Sequence, residues 1–520
     1  MKSRLQMTAR NAVWSYVSMI VSLVLSFVSR TIFIYTLGES YLGVSGLFSN
    51  ILGVLSFAEL GIGTAFGFSL YKPVANHDID KIRSYMHYYK IAYRLIAIVV
   101  TIVGLGVLPL LQYIIKYPGN IGNIYIYYLI YLFNTVSSYF VSYKFSLANA
   151  EQRNYIFTNI NLITTLVITF LQIFSLLLFK NFLIYLLVAA AFGLFQKIFV
   201  SIYFNKLYPY LKESEPQNLS QEEKATLKKK VKALIIHKIG DVSVHQTDNI
   251  IVSSFISTVM VGLISNYTLI MSTVSSFINI LFNSVTGSLG NMIAVESKEH
   301  QYSIFKKYRF IGFWFYGFSA IAMAVLAEPF ITLWIGENMV IDPLVFNLMM
   351  IDYYMIGHRT CLNNMKNAAG IFEQDKFVAL IQAIVNLIAS IVLVNIIGLP
   401  GVYIGTIIQG AIATVIKPIV SYKPLFNVSS RYYFKDSIKY GASVLSAYII
   451  CFLFSRFILS YSINIRTFIV LTVFVAVIPN ALFLLLFRKT EEFGYLKVII
   501  KKASKRLRDK DTKIKQLEEK

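Results

Sequence analysis

His237, Asp241, His245 and Asp248 recur at steps of four, four and three inside an apolar stretch over 233–257. At about 100° per residue, these four side chains fall within an arc of roughly 80° on one helix face. Carboxylates interleaved with imidazoles can hold and pass protons near physiological pH. The stretch is long enough to span a bilayer. A charge at bilayer depth costs on the order of 2.5–3.5 kcal/mol even on the lenient scale, so the stripe must turn away from lipid. Two readings follow: a satisfied interhelical hydrogen-bond network, or the wall of a cavity that binds something polar.

Other polar stripes share this property. Asn11, Ser15, Ser18, Ser22, Ser26 and Ser29 keep to one face of the first apolar stretch, with Arg30 at its edge. The serines suit close helix packing. Arg30 lies deeper than a loop charge and either snorkels outward or serves a cavity. Asp352, Arg359, Asn363 and Lys366 follow steps of seven, four and three, with His358 beside them. Asp352 with Arg359 reads as a structural ion pair; alternatively Arg359 and Lys366 present cations to an anionic headgroup. Lys144 holds the corresponding place in an earlier stretch. Glu59 sits in Phe57-Ala58-Glu59-Leu60-Gly61-Ile62-Gly63, where glycines permit a broken helix. It reads as a proton- or partner-binding carboxylate, or as a cap at the break. The summed balance is mixed, four cations against four carboxylates: Arg30, Lys238, Arg359 and Lys366 against Asp241, Asp248, Asp352 and Glu59.

These residues need elements to position them. The chain has 520 residues, 56% hydrophobic and 14% charged, with mean hydropathy +0.63. A soluble protein carries about a quarter charged residues, so the composition predicts an all-α polytopic membrane protein. About fourteen spans can be placed. They cover 12–37, 42–70, 91–111, 122–148, 155–179, 181–206, 233–257, 262–290, 307–328, 345–369, 376–397, 400–422, 437–460 and 466–488. The first stretch is too long for a cleavable leader and reads as a span.

Net charge is +22. Nucleic acid is not the partner it implies, because the basic residues gather in alternate short loops: Lys72 to Arg94, Lys224 to Lys230, Lys306 to Arg309, and Lys423 to Lys439. That asymmetry predicts cytoplasmic termini. Outer loops are too short for an external catalytic domain. Cys361 and Cys451 both fall in apolar spans, so neither a disulfide framework nor a metal-ligand spacing is indicated. There is no Gly-rich Lys-Ser/Thr phosphate loop, and no cofactor is expected.

An internal duplication organises the spans. Lys144, Glu151-Gln152 and Tyr155 are echoed by Lys366, Glu373-Gln374 and Phe377; Leu42-Gly43-Val44 is echoed by Val261-Gly262-Leu263. The offset is even in spans, so the repeats run parallel. The predicted organisation is a six-helix bundle over 1–206, a basic cytoplasmic linker over 207–232, and a second six-helix bundle over 233–424. Two further helices follow over 425–488, then a basic tail over 489–520. Ser220 with Glu223 reads as a capping box. The tail is an amphipathic helix on the inner leaflet or a disordered segment.

Several short motifs occur in order: Asn11-Ala12-Val13-Trp14, Arg30-Thr31-Ile32-Phe33-Ile34, Leu37-Gly38 with Tyr41-Leu42-Gly43, Glu59-Leu60-Gly61-Ile62-Gly63, Leu70-Tyr71-Lys72-Pro73 and Thr247-Asp248-Asn249-Ile250-Ile251. Together with the span count, they make the chain resemble the bacterial polysaccharide repeat-unit flippases. These are part of the MATE-like superfamily of multidrug, oligosaccharidyl-lipid and polysaccharide exporters. The resemblance implies a transporter rather than an enzyme. Its substrate would be an oligosaccharide on polyprenyl pyrophosphate, moved to the outer leaflet of the cytoplasmic membrane for capsule, O-antigen or a similar polymer. It also implies a V-shaped cavity between two bundles that opens alternately to either side. The partners it implies are the lipid-linked oligosaccharide, membrane lipids, and the pathway's polymerase and chain-length machinery.

On that resemblance, Arg30, Arg359, Lys366 and Lys238 are the substrate cations. Gln246, Asn249 and Asn363 meet sugar hydroxyls. Asp241, Asp248 and Glu59, with His237 and His245, would couple transport to protons or sodium. Such coupling is not required, since two negative charges moved outward gain roughly 4–5 kcal/mol per 100 mV. A lipid II or teichoic-type precursor flippase, a multidrug cation antiporter and a membrane polymerase or ligase are the rivals. The basic residues count against the antiporter, and the short outer loops count against the enzyme.

Overall fold

The computed structural model describes residues 4–56, 59, 62–116, 121–211, 218–371, 377–460 and 462–498. Within its helices, the side chains of 4–13 and 232–245 lie outside the description, as do the repeat residues Glu373-Gln374 and most of the tail over 489–520.

Every regular element among the described residues is helical. The first nine α-helices are α1 (Arg4–Leu37), α2 (Glu39–Leu55), α3 (Ile62–Ala75), α4 (Ile79–Val107), α5 (Leu111–Ile114), α6 (Ile124–Ala150), α7 (Asn154–Phe179), α8 (Phe182–Leu207) and α9 (Gln221–Phe255). The rest are α10 (Thr258–Ser284), α11 (Thr286–Val295), α12 (Lys298–Ile335), α13 (Pro343–Ala368), α14 (Val378–Ile397), α15 (Leu399–Phe426), α16 (Arg431–Leu459) and α17 (Ile465–Phe487).

Eleven helices among the described residues are long and apolar enough to cross a membrane. The three predicted spans outside that set carry the ionisable stripes. The span at 42–70 is not one helix: it divides into α2 and α3 around Glu59, so neither piece alone reaches across. The span at 233–257 is the distal part of α9, and that at 345–369 is α13. The span at 262–290 also breaks, at Val285, into α10 and α11. Apolar side chains such as Ile20, Val24, Phe170 and Leu177 stay exposed, as lipid-facing surfaces should.

Local chemistry sets the helix ends. Gly38 turns the chain between α1 and α2 at φ 86°, a left-handed conformation that glycine adopts without a Cβ penalty. Asn123, Asn181 and Asn464 each accept two backbone N–H groups at a helix start.

Two compact units divide the chain: Met1–Asn266 with Ala379–Gly405, and Tyr267–Val378 with Thr406–Lys520. The core of the second unit is aromatic. Phe310 and Phe313 of α12 meet Tyr440 of α16 and Phe483 and Phe487 of α17, with the Phe313 and Tyr440 rings stacked 4.4 Å apart. The two final apolar helices thus pack on α12.

The capping box at α9 is present. Ser220 Oγ accepts from the Glu223 amide at 3.1 Å, and Glu223 Oε2 accepts from the Ser220 amide at 3.0 Å. Lys81 Nζ lies 3.1 Å from Glu223 Oε1, which ties the helix start to α4. The Ser220 amide and then the Lys81 ammonium hold the Glu223 carboxyl below its ordinary range. Its contribution is therefore present above the ordinary carboxylate range and lost as pH falls through the lowered value. The protection of amides over 218–226, after correction for the intrinsic pH dependence of exchange, should fall on acidification in the wild type. In Glu223→Gln that protection should be lower at neutral pH and independent of pH. A pH-independent wild-type profile would remove the carboxylate from this cap.

Candidate functional site

Arg30 is placed by α1, two turns before the helix ends at Leu37. It is half-buried. Its Nη1 donates to Ser265 Oγ at 2.6 Å and to Asn266 Oδ1 at 3.4 Å. Both acceptors are neutral, and Arg30 makes no ion pair among the described residues. Tyr131 and Tyr185 lie within its electrostatic reach. The Tyr131 hydroxyl is itself hydrogen bonded to Ser45.

The acceptors reach Arg30 because α2 and α10 cross without side chains between them. A Cβ at Gly43 would be driven into the Thr258 carbonyl oxygen; one at Gly262 would lie 2.5 Å from the Glu39 carbonyl oxygen and 2.8 Å from the Gly43 nitrogen. Ser265 and Asn266 follow one turn after Gly262. The two glycines are the pair that the sequence echo of Leu42-Gly43-Val44 in Val261-Gly262-Leu263 aligns.

Glu59 occupies a single turn between α2 and α3, its amide donating to the Ser56 carbonyl at 2.9 Å. Its carboxylate accepts from the Tyr93 hydroxyl at 2.9 Å. Tyr93 packs edge-on against Tyr89 and Tyr139, and Tyr89 stacks on Phe66 at 4.5 Å. All three tyrosines are buried. The helix break therefore lowers a carboxylate into an aromatic cluster that supplies a phenol donor.

On α9, Thr247 donates to Asn386 of α14 at 3.2 Å, and Gln246 lies against Gly53 of α2. Asp248 stands within electrostatic reach of buried Tyr403. Asn249 is half-buried. His237, Lys238, Asp241 and His245 share this helix, with side chains outside the described set. Arg30, Glu59, Gln246, Asp248 and Asn249 are thus collected in the first unit.

Arg359, Asn363 and Lys366 fall in the second unit, on α13. Arg359 is 5% exposed; it donates to the Met355 carbonyl of its own helix and, through Nη1, to the Gly410 carbonyl at 2.9 Å. Asp352 acts on it electrostatically. Lys366 is buried, as is its repeat partner Lys144, and Asn363 is half-buried.

Two cations, Arg309 buried and Lys197 half-buried, were not singled out from the sequence. Arg309 looks like a loop charge after Lys306 and Lys307, but it is 2% exposed. Its guanidinium lies 3.7 Å over the Tyr433 ring and donates to the Tyr433 carbonyl at 2.9 Å and Ser437 Oγ at 2.6 Å, with His358 Nε2 at 3.1 Å. The available signal was periodicity: Phe305, Arg309, Gly312, Phe313 and Tyr316 share one face. Lys197 donates to the Asn134 carbonyl and Ser137 Oγ at 3.0 and 2.7 Å. Nothing in its local spacing marks it.

Solved structures of known transporters resemble this arrangement. A lipid II flippase, MurJ, in an inward closed conformation aligns with TM-score 0.63 and 14% identity over 92% of this chain and 98% of that one. An inward-facing multidrug resistance MATE family transporter of the MOP superfamily aligns with TM-score 0.59 and 14% identity over 76% and 92%. A mutant of the Vibrio cholerae MATE transporter VcmN gives 0.57 and 16% over 82% and 99%. This chain has their fold. No protein-family model matches it, and no curated protein matches it in sequence.

Proposed function

We propose that this protein is a flippase that carries an anionic, lipid-linked oligosaccharide outward across the cytoplasmic membrane, with both termini in the cytoplasm. Arg30 carries the reading. It is a guanidinium at bilayer depth, held by a hydroxyl and an amide and engaged in no ion pair among the described residues. Charge at that depth is costly without a counter-charge. A phosphate oxygen pair supplies one in bidentate geometry. A lipophilic cation would be repelled by the same group.

The finer assignment is polyprenyl pyrophosphate as the carrier and a polysaccharide repeat unit as the cargo. Arg359, Lys366 and Lys238 are further cations along the path, and Gln246, Asn249 and Asn363 meet sugar hydroxyls. Glu59, hydrogen bonded by Tyr93, is the coupling carboxylate best supported by geometry. Asp241 and Asp248, with His237 and His245, form the second candidate set. The fold likeness to a lipid II flippase, over 92% of this chain, supports a lipid-linked cargo.

The test is a depletion strain in which polyprenyl-pyrophosphate oligosaccharides are extracted and quantified. Loss of the protein should cause the complete unit to accumulate while surface polymer falls. Arg30→Ala should restore export at least about tenfold less well than wild type, the loss of one charge-assisted pairing; Arg30→Lys should recover part of it. Glu59→Gln should flatten the pH dependence of export. Accumulation of lipid II instead would move the assignment to that substrate. No accumulation, with new sensitivity to cationic drugs, would replace the proposal with a multidrug antiporter.

A further inference from the structure

Arg83, His87 and Lys90 of α4 are spaced four and three apart and share one face. With Lys144 of α6 and Asn205 of α8 they line a cavity of about 140 Å³ within the first unit, at the helix ends where its basic loops gather. That is comparable to cavities that admit a benzene-sized guest. No acidic residue is among its lining residues.

Two of these cations, Lys144 and Arg83, are built into the wall, while His87 and Lys90 are exposed. Lys144 is 9% exposed, and its Nζ donates to the Ser201 carbonyl at 3.2 Å, Ser201 Oγ at 2.9 Å and Asn205 Oδ1 at 3.2 Å. Arg83 is fixed by the Tyr210 carbonyl at 2.9 Å and by Asp80 at 3.0 Å. The nearby Glu151 carboxylate is held by the Tyr208 hydroxyl at 2.9 Å and by Arg153 at 3.5 Å. Asp80 offsets part of the Arg83 charge, yet Arg83, Lys90 and Lys144 still outnumber it around a lining with no carboxylate, which favours a compact anion.

We propose that this cavity binds a phosphate group, most simply that of an anionic phospholipid headgroup. Basic pockets between transmembrane helices recognise such headgroups, and Lys and Arg fit phosphate oxygens. The proposal does not rest on the identity of the transported substrate. The cavity is separate from Arg30 and Glu59, neither of which lines it.

Native mass spectrometry of the full chain in detergent tests this, with phosphatidylglycerol and phosphatidylcholine as probes. The wild type should retain phosphatidylglycerol in preference to phosphatidylcholine. Lys90→Gln, at an exposed position, should weaken retention roughly fivefold, and Lys144→Gln should weaken it by the loss of one positive charge. Lys90→Arg should preserve it, and Lys435→Gln, which is not among the cavity's lining residues, should leave it unchanged. Displacement of the lipid by millimolar inorganic phosphate would assign the site to free phosphate; persistence of the lipid would assign it to the headgroup. Equal retention by wild type and Lys90→Gln would overturn the proposal, whether or not Lys144→Gln folds.

Discussion

Replacing Gly43 with valine should leave little folded protein in the membrane. The obstacle is backbone. A Cβ at this position meets the Thr258 carbonyl oxygen, with the Thr258 carbonyl carbon at 2.8 Å and the Gly262 nitrogen at 3.3 Å. Side chains can change rotamer to admit a new group, but a helix carbonyl cannot. Accommodation requires α2 and α10 to move apart, which also draws Ser265 and Asn266 away from Arg30. Overpacking a tight site costs about 1–3 kcal/mol where side chains can yield, so a backbone collision should cost about 3 kcal/mol or more. Size-exclusion profiles of a fluorescent fusion report this directly. Gly67→Ala is the control, because its added methyl meets nothing within 4 Å. A monodisperse Gly43→Val with unchanged melting temperature would mean that the helices do not cross this closely.

Arg309→Met should be the next most damaging change. Its guanidinium stacks on Tyr433 and bridges the Tyr433 carbonyl, Ser437 and His358, with Asp436 at 3.7 Å. Asp436 is partly exposed, so the ion pair contributes modestly. The larger loss is the set of charge-assisted hydrogen bonds from the guanidinium, at about 1.5–3 kcal/mol each before its partners re-pair: Ser437 Oγ still donates to the Tyr433 carbonyl at 2.8 Å and lies 2.9 Å from His358 Nε2. The stacking on Tyr433 is lost as well. We expect about 3 kcal/mol in total, read as a lower melting temperature in detergent. Arg309→Lys should recover only part of it, since an ammonium neither forks nor stacks as a guanidinium does. A methionine variant as stable as the wild type would make the cluster dispensable.

The apolar spans were legible because hydrophobic length is a strong signal, and eleven of them fall on stretches of the described residues that are helical, long and apolar enough to cross a membrane. The span at 42–70 was misjudged as continuous. Hydropathy averages over a break, and only the glycines around Glu59 marked where it falls. The Tyr89–Tyr93–Tyr139 cluster could not be seen, because it assembles from α4 and α6, with Tyr93 and Tyr139 standing 46 positions apart in sequence. Arg309 was misread for a related reason. Its basic neighbours point to a loop, yet α12 already begins at Lys298. Arg30 was picked out as a charge too deep for a loop, and it lies half-buried within α1. That its partners would be Ser265 and Asn266 depended on a helix crossing that no local pattern encodes.

The crossing at Gly43 also constrains genetics. A damaging side chain is usually suppressed by trimming its neighbour, but here the neighbour at Gly262 has no side chain to trim and the collision is with main chain. Revertants of a Gly43 substitution should therefore not map to the facing residue. They should map to positions that hold the two helices at their present separation. The turn where Ser253 and Thr258 bond to each other and to residues 114 and 116 is the first place to sequence.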